Sequence, residues 1–189
     1  MQVAAGRDHS YCLDTNGMVW SFGSNYRGQL GIDKGGDDGG DDAVIHEIGW
    51  FRNQNKKIQA VSSGNYHGAA VDKAGCVYVW GRGDEGQIGN GKKADRFIPT
   101  MVEGFDNVPI VSISCGCHHT IAMSEDQKVF CWGNNRYNQC ADTFADNFDS
   151  GHVSQKVAKE LYALGAQSND SILGVSAGSY HTLLLLNKP

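Results

Sequence analysis

The feature that most constrains this chain is an internal repeat, because a missed period mis-assigns the whole fold. Four segments align: Val3-Ala-Ala-Gly6-Arg-Asp-His9, Val61-Ser-Ser-Gly64-Asn-Tyr-His67, Ile113-Ser-Cys-Gly116-Cys-His-His119 and Val175-Ser-Ala-Gly178-Ser-Tyr-His181. Each carries a Gly with a His three residues later. The first three continue in step. Seventeen residues after the Gly comes a second Gly behind an aromatic, at Phe22-Gly23, Trp80-Gly81 and Trp132-Gly133. Six residues further comes a Gln, at Gln29, Gln87 and Gln139, followed by Leu30, Ile88 and Cys140. The leading Gly recurs at intervals of 58, 52 and 62 residues. Chance does not readily give such agreement at so many offsets.

Each unit reads as short strands. Residues 3–5 form a short buried strand and residues 9–13 a second. Residues 18–22 form a third, entered through Thr15-Asn16-Gly17, a strong turn signal. The equivalents in the second unit are 60–62, 67–71 and 76–80. Fourth strands are expected around 43–48 and 98–102. Gly is 25 of 189 residues and Pro only 3, which suits many short strands joined by tight turns. Four short strands in each unit of roughly 50 residues mark a propeller blade. The fold class is therefore all-β, a partial β-propeller of about three and a half four-stranded antiparallel blades. Their bounds fall at about 1–57, 58–109, 110–173 and 174–189.

Particular runs carry a family resemblance. They are Leu30-Gly31, Arg96-Phe-Ile-Pro99-Thr-Met-Val102, Val111-Ser-Ile-Ser-Cys-Gly116 with His119-Thr120, and Val129-Phe-Cys-Trp132-Gly133. They resemble the repeat consensus of the regulator of chromosome condensation family, over most of the chain. Unit three departs at Asn138 and Ala141, where the other units have Gly28 and Gly31, or Gly86 and Gly89. The resemblance implies a ring that normally has seven blades. Two copies of this chain would not supply the third and fourth strands that the last blade lacks. The edge near residues 183–186, a run of four Leu, is expected to be covered by more chain or by another protein.

The expected function is non-enzymatic protein–protein interaction, as a scaffold part of a larger assembly, because propellers present many loops on two flat faces. The alternative that the resemblance implies is guanine nucleotide exchange on a Ran-like small GTPase. The expected partner-binding residues are Trp50, Phe51, Arg82, Asp84, Glu85, Arg136 and Tyr137, with Trp50 and Phe51 packing between blades as the other role open to that pair. The expected structural residues are Gly6, His9, Gly23, Gly64, His67, Trp80, Gly81, Gly116, His119, Trp132, Gly133, Gly178 and His181. The leading Gly residues are expected to adopt a turn conformation that a Cβ disfavours. The repeated His is expected to hydrogen-bond a neighbouring turn near the axis.

Two insertions separate the units. The first, Gly35-Gly-Asp-Asp-Gly-Gly-Asp-Asp42, reads as a solvated loop, because it has almost nothing apolar to bury. It lacks the spacing of a calcium loop. In the second, Val153, Val157, Leu161 and Leu164 predict a helix near 152–164, ended by Gly165.

Several chemistries are disfavoured. Cys115-Gly-Cys117-His118-His119 resembles a metal cluster, yet Cys115 aligns with Ala5, Ser63 and Ala177, and His119 is the repeat His. His9-Ser10, His119-Thr120 and His181-Thr182 recur, whereas a catalytic site is normally unique. Neither a catalytic site nor a cofactor or metal is expected. The 16 Lys and Arg against 21 Asp and Glu form no basic stripe, which disfavours direct nucleic-acid binding. No apolar run is long enough to span a bilayer, and Met1-Gln2-Val3-Ala4-Ala5-Gly6 is not a signal peptide. The six Cys lack a disulfide-like spacing, which suggests an intracellular, reducing location, cytoplasmic or nuclear.

Overall fold

In the computed structural model, residues 1–33, 42–105, 107–140, 154–161 and 171–187 are described. Fourteen strands occur among them. The first sheet holds β1 (Gln2–Ala5), β2 (His9–Leu13), β3 (Val19–Gly23) and β4 (Asp42–Glu47), followed by a short helix α1 (Gly49–Asn53). The second holds β5 (Ile58–Ser63), β6 (His67–Asp72), β7 (Val77–Gly81) and β8 (Arg96–Met101). The third holds β9 (Ile110–Cys115), β10 (His119–Ser124), β11 (Val129–Asn134) and β12 (Ser154–Leu161). The last pairs β13 (Ser171–Ala177) with β14 (Thr182–Asn187). Neighbours in each sheet are neighbours in sequence and run antiparallel, which is the meander of a propeller blade.

The blades share one register. His9 pairs with Gly23, His67 with Gly81 and His119 with Gly133. In each blade the pairing of third and fourth strands slips at the aromatic just before that Gly. The slip fits the Gly conformations: φ is 107° at Gly23, 96° at Gly81 and 104° at Gly133, a region that L side chains rarely adopt. Asn138 takes φ 60° where Gly28 and Gly86 take 78° and 80°, so the exchange of Gly for Asn at that position keeps the turn conformation; Ala141 lies outside the described residues.

The core lies between blades. Tyr11, Leu13, Val19, Ile48, Phe51, Tyr78 and Trp80 form one buried cluster between the first two sheets. Val71, Val79, Ile88, Ile113, Phe130 and Trp132 belong to the next. Trp80 and Trp132 are both 0% exposed. Each indole lies against the blade before it: Trp80 Nε1 donates to the Gln29 carbonyl at 3.1 Å and Trp132 Nε1 to the Gln87 carbonyl at 2.9 Å.

Several expectations are corrected. Phe22, the equivalent of these Trp residues, is only half-buried, because among the described residues no sheet packs on that side of the first blade. For the same reason β1 is not buried: Val3 is 72% exposed, whereas Val61 and Ile113 at the same offset are 1% and 8% exposed. The helix expected near 152–164 is a strand where described. β12 pairs with β11 from Asn134↔Ser154 to Val129↔Leu161. Unpaired edge groups on β11 outweigh a four-residue apolar spacing, which is a weak determinant. Val153, Leu164 and Gly165 lie outside the described residues, as do 35–41 of the first insertion. Cys131 and Cys140 pair as a disulfide with Cα atoms 5.3 Å apart. The equivalent positions also meet in the first blade, where the Ser21 hydroxyl donates to the Leu30 carbonyl at 2.8 Å. A spacing of nine residues hides this contact, because it arises from a loop folding back on its own strand.

The leading Gly residues also differ from expectation. Neither Gly64 nor Gly116 has a positive φ. What excludes a side chain there is close approach. A Cβ on Gly64 would lie 2.2 Å from His67 Cε1 and 2.5 Å from the Gly116 carbonyl of the next blade. On Gly116 the same distances are 2.1 Å to His119 Cε1 and 2.4 Å to the Gly178 carbonyl. Gly116→Val is therefore expected to destabilise the fold by about 1–3 kcal/mol through overpacking. Urea denaturation followed by Trp fluorescence measures it, and an unchanged midpoint would contradict the packing argument.

Candidate interaction face

In each blade the first strand turns into the second at the leading Gly, through the bond from the Gly6 N–H to the His9 carbonyl at 2.8 Å and its equivalents at Gly64, Gly116 and Gly178. The pairing of His with the second Gly then places the exit of the third strand beside this turn. Two loops in each of the first three blades, and one in the last, thus share one end of the sheet. The first supplies Arg7-Asp8, Asn65-Tyr66, Cys117-His118 and Ser179-Tyr180. The second supplies Tyr26-Arg27, Asp84-Glu85 and Arg136-Tyr137. The opposite end carries the hairpin turns, where Asp14 Oδ1 accepts from the backbone N–H of Asn16 and Met18, and Asp72 Oδ1 from those of Ala74 and Cys76.

The repeated polar residues are engaged internally. His9 Nε2 lies 2.8 Å from Ser63 Oγ, His67 Nε2 3.1 Å from Thr120 Oγ1, and His119 Nε2 3.2 Å from Thr182 Oγ1. The side-chain partner is a hydroxyl of the next blade, and a backbone hydrogen bond to the next repeat His, in the neighbouring turn, acts on the same ring. In the second blade Gly68 stands where Thr120 and Thr182 would put the hydroxyl, and His9 uses Ser63 instead. Burial lowers the imidazole pKa to about 4 at His9, about 3 at His67 and about 4 at His119, because the charged ring would lose its hydration. The repeated Gln has a role that the spacing alone did not reveal. Its Oε1 accepts a backbone N–H two residues earlier in the loop, at 2.8 Å in Gln29 and 2.9 Å in Gln87 and Gln139. At Gln29 and Gln87 its backbone carbonyl receives the next blade's indole. Recurrence at one offset was the available signal.

The remaining loop positions face outward. Arg7 donates from Nη1 to the Tyr66 hydroxyl and lies 5.3 Å from the Tyr66 ring centre, with Arg82 at 5.7 Å. Tyr26 packs edge-on against Tyr66, with centroids 5.6 Å apart. Arg27 bridges blades through Asp84 at 2.7 Å and Asp95 at 3.2 Å, and Arg82 Nε meets Asp84 at 2.6 Å. Asn134 Nδ2 donates to Glu85 Oε2 at 3.1 Å. Arg136 lies 5.9 Å from the Tyr137 ring, and Tyr137 packs against Tyr180 with centroids 5.5 Å apart. Tyr26, Tyr137 and Tyr180 are all about half exposed or more.

The sequence-derived partner residues therefore divide. Arg82, Asp84, Glu85, Arg136 and Tyr137 share this face. Trp50 and Phe51 do not: they sit on α1, where Phe51 is 0% exposed against Trp80 and Tyr78. Phe51 is a core residue and no anchor for a partner. Trp50 is half-buried against both Phe51 and Tyr78. The Cys115 thiol is buried and its pKa is pushed up to about 12. His118 is held below the usual imidazole range by burial, with Arg82 adding to it. Among the described residues no group of three or more His, Cys, Asp and Glu comes together as metal ligands. Nor is any helix among them long and apolar enough to cross a membrane.

Known proteins place this architecture. A human protein named "Probable E3 ubiquitin-protein ligase HERC6" is 38% identical over 140 residues, which is 74% of this chain and 13% of that protein. The ultraviolet-B receptor UVR8 of Arabidopsis thaliana is 32% identical over 184 residues, which is 97% of this chain and 38% of the receptor. The chain thus spans well under half the length of these relatives. Human WBSCR16 superposes with a TM-score of 0.83 at 26% identity, over 98% of this chain and 44% of its own. Yeast RCC1 (Prp20), in its complex with Kap60, shares the fold with a TM-score of 0.78 at 23% identity, over 97% of this chain and 41% of its own. One model of the Regulator of chromosome condensation (RCC1) repeat matches residues 16–71 and 74–123, and a second matches 2–29, 58–87 and 110–139. With its blades, its inter-blade indoles and these matches together, the chain belongs to the regulator of chromosome condensation (RCC1) repeat family.

Proposed function

We propose that this chain is a non-enzymatic protein-binding module whose working surface is the face that carries Tyr26, Tyr66, Arg82, Asp84, Glu85, Arg136, Tyr137 and Tyr180. The observation that carries it is a division of labour within the repeat. The constant His, Gln, Gly and Trp positions are consumed in joining blade to blade, whereas the changing positions concentrate exposed Tyr and Arg at one end of the sheets. Tyr and Arg dominate binding hot spots, since they offer large contact area with a polar handle. The relatives add support. The matched segment occurs in proteins named as a ligase and as a light receptor, so it belongs to neither activity in particular.

Affinity capture with quantitative mass spectrometry tests this reading. Partners captured by the wild-type chain are expected to be lost from a Tyr26→Ala, Tyr137→Ala variant. They should be retained by Lys73→Ala, Glu125→Ala on the opposite hairpin turns. The reverse pattern would move the surface to the other end.

Nucleotide exchange on a Ran-like small GTPase is the alternative, and it rests on family likeness alone. Release of a fluorescent guanine nucleotide from Ran, with and without the chain, decides it.

A further inference from the structure

We propose that the corner formed by Arg136, Tyr137 and Tyr180 is the docking subsite for an acidic side chain of a protein partner; this rests on the protein-binding reading above. Three observations carry it. The first concerns charge. Arg7, Arg27 and Arg82 each meet a carboxylate: Asp8 at 3.5 Å, Asp84 at 2.7 Å and Asp84 at 2.6 Å. Arg136 is exposed and meets none among the described residues. Its guanidinium lies over Tyr137, which orients the charge without neutralising it. A planar guanidinium suits a two-point grip on a carboxylate.

The second observation is the contact area beside that charge. Tyr137 is 63% exposed and Tyr180 50% exposed, and they meet edge to face. Aromatic rings lose little conformational freedom on binding, so they serve as anchors for apolar residues that flank an acidic one.

The third is rigidity. Gln139 Oε1 holds the Tyr137 N–H at 2.9 Å, Asn134 Oδ1 holds the Arg136 N–H at 2.9 Å, and Asn135 Oδ1 holds the Cys140 N–H at 2.8 Å. Asn134 Oδ1 also accepts from Gln139 Nε2 at 3.0 Å. The loop tip is therefore preorganised, which lowers the entropy lost on binding. At the same offsets the other blades carry Tyr26-Arg27 and Asp84-Glu85, so the blade itself does not require Arg136 or Tyr137.

A nucleic acid could also use an arginine beside stacked rings. Asp84 and Glu85 argue against it. Both act on His118, which packs against Tyr180, and their carboxylates would repel a run of phosphates.

The test is selection of a phage-displayed random peptide library on the full chain, followed by fluorescence anisotropy of the enriched peptides. Sequences with Asp or Glu flanked by aromatic or aliphatic residues are expected. Arg136→Glu and Tyr137→Ala should each weaken them by about tenfold or more, and Lys73→Ala should not. Changing the peptide's acid to Lys should restore affinity for Arg136→Glu. Circular dichroism of each variant checks that it is folded. Enriched peptides that bind Arg136→Glu as well as wild type would overturn the subsite and leave the protein-binding reading standing. Failure to enrich any peptide would count against both. A single-stranded oligonucleotide that binds wild type, and is lost with Arg136→Glu, would overturn the class of partner.

Discussion

Trp80→Ala is expected to lower stability by about 3–5 kcal/mol. The indole is fully buried. It packs edge-on against Tyr11 and Phe51, with centroids 5.4 Å and 5.8 Å away. Its N–H donates to the Tyr11 hydroxyl and the Gln29 carbonyl, both at 3.1 Å. Truncation would leave a cavity at the seam between two blades and remove one of the two donors to the Gln29 carbonyl, which the Tyr11 hydroxyl would still reach; the cavity is therefore the main cost. Phe22→Ala, at the same position one blade earlier, should cost clearly less, because that ring is only half-buried. Guanidinium denaturation of both variants measures the contrast. Equal losses would mean that burial between blades is not what the aromatic supplies.

Acid should unfold the chain through its histidines. His9, His67 and His119 have folded pKa values of about 4, 3 and 4, against about 6.5 in an unfolded chain. Below pH 6.5 the unfolded state therefore binds more protons, so stability falls as pH falls. The loss begins near pH 6.5 and continues until the folded pKa values are reached. Each His contributes a slope of about 1.4 kcal/mol per pH unit, and the three together about 4. Over two pH units that is comparable with the whole stability of an ordinary domain, about 5–15 kcal/mol. Urea midpoints at pH 7, 6 and 5 measure the slope. His67→Gln, which keeps a polar group near Thr120, should reduce it by about one third, whatever its effect at pH 7. A stability independent of pH across this range would refute the neutral, buried histidine.

Much of the fold was legible in the chain. The offsets of Gly, His, aromatic and Gln identified equivalent residues in successive blades. Thr15-Asn16-Gly17 marked a real hairpin turn, with φ 77° at Gly17. Strand assignments came through where turn residues bounded short apolar runs. The errors share a different character. Gly64 and Gly116 were read as torsional requirements, yet their constraint is a ring and a carbonyl from elsewhere in the fold. The face was only half visible: the sequence named Arg136 and Tyr137, but Tyr26, Tyr66 and Tyr180 join them only when separate blades are set side by side. Cys131 and Cys140 escaped notice because their contact depends on a loop returning over its strand.

The sequence by itself determined which residues are copies of one another, the first three strands of each full copy, and where the turns fall. Those are local properties, written in spacing and in the torsional preferences of Gly and Asn. Tertiary structure decided which copies are buried. Phe22 is only half-buried and Val3 is exposed, although Trp80 and Val61 are buried, because burial in a propeller comes from the neighbouring blade. It decided too that residues 154–161 form a strand, since the open edge of β11 must be hydrogen-bonded and a helix cannot do that. A pattern of apolar residues states that a surface will be covered; only the arrangement of blades states what covers it.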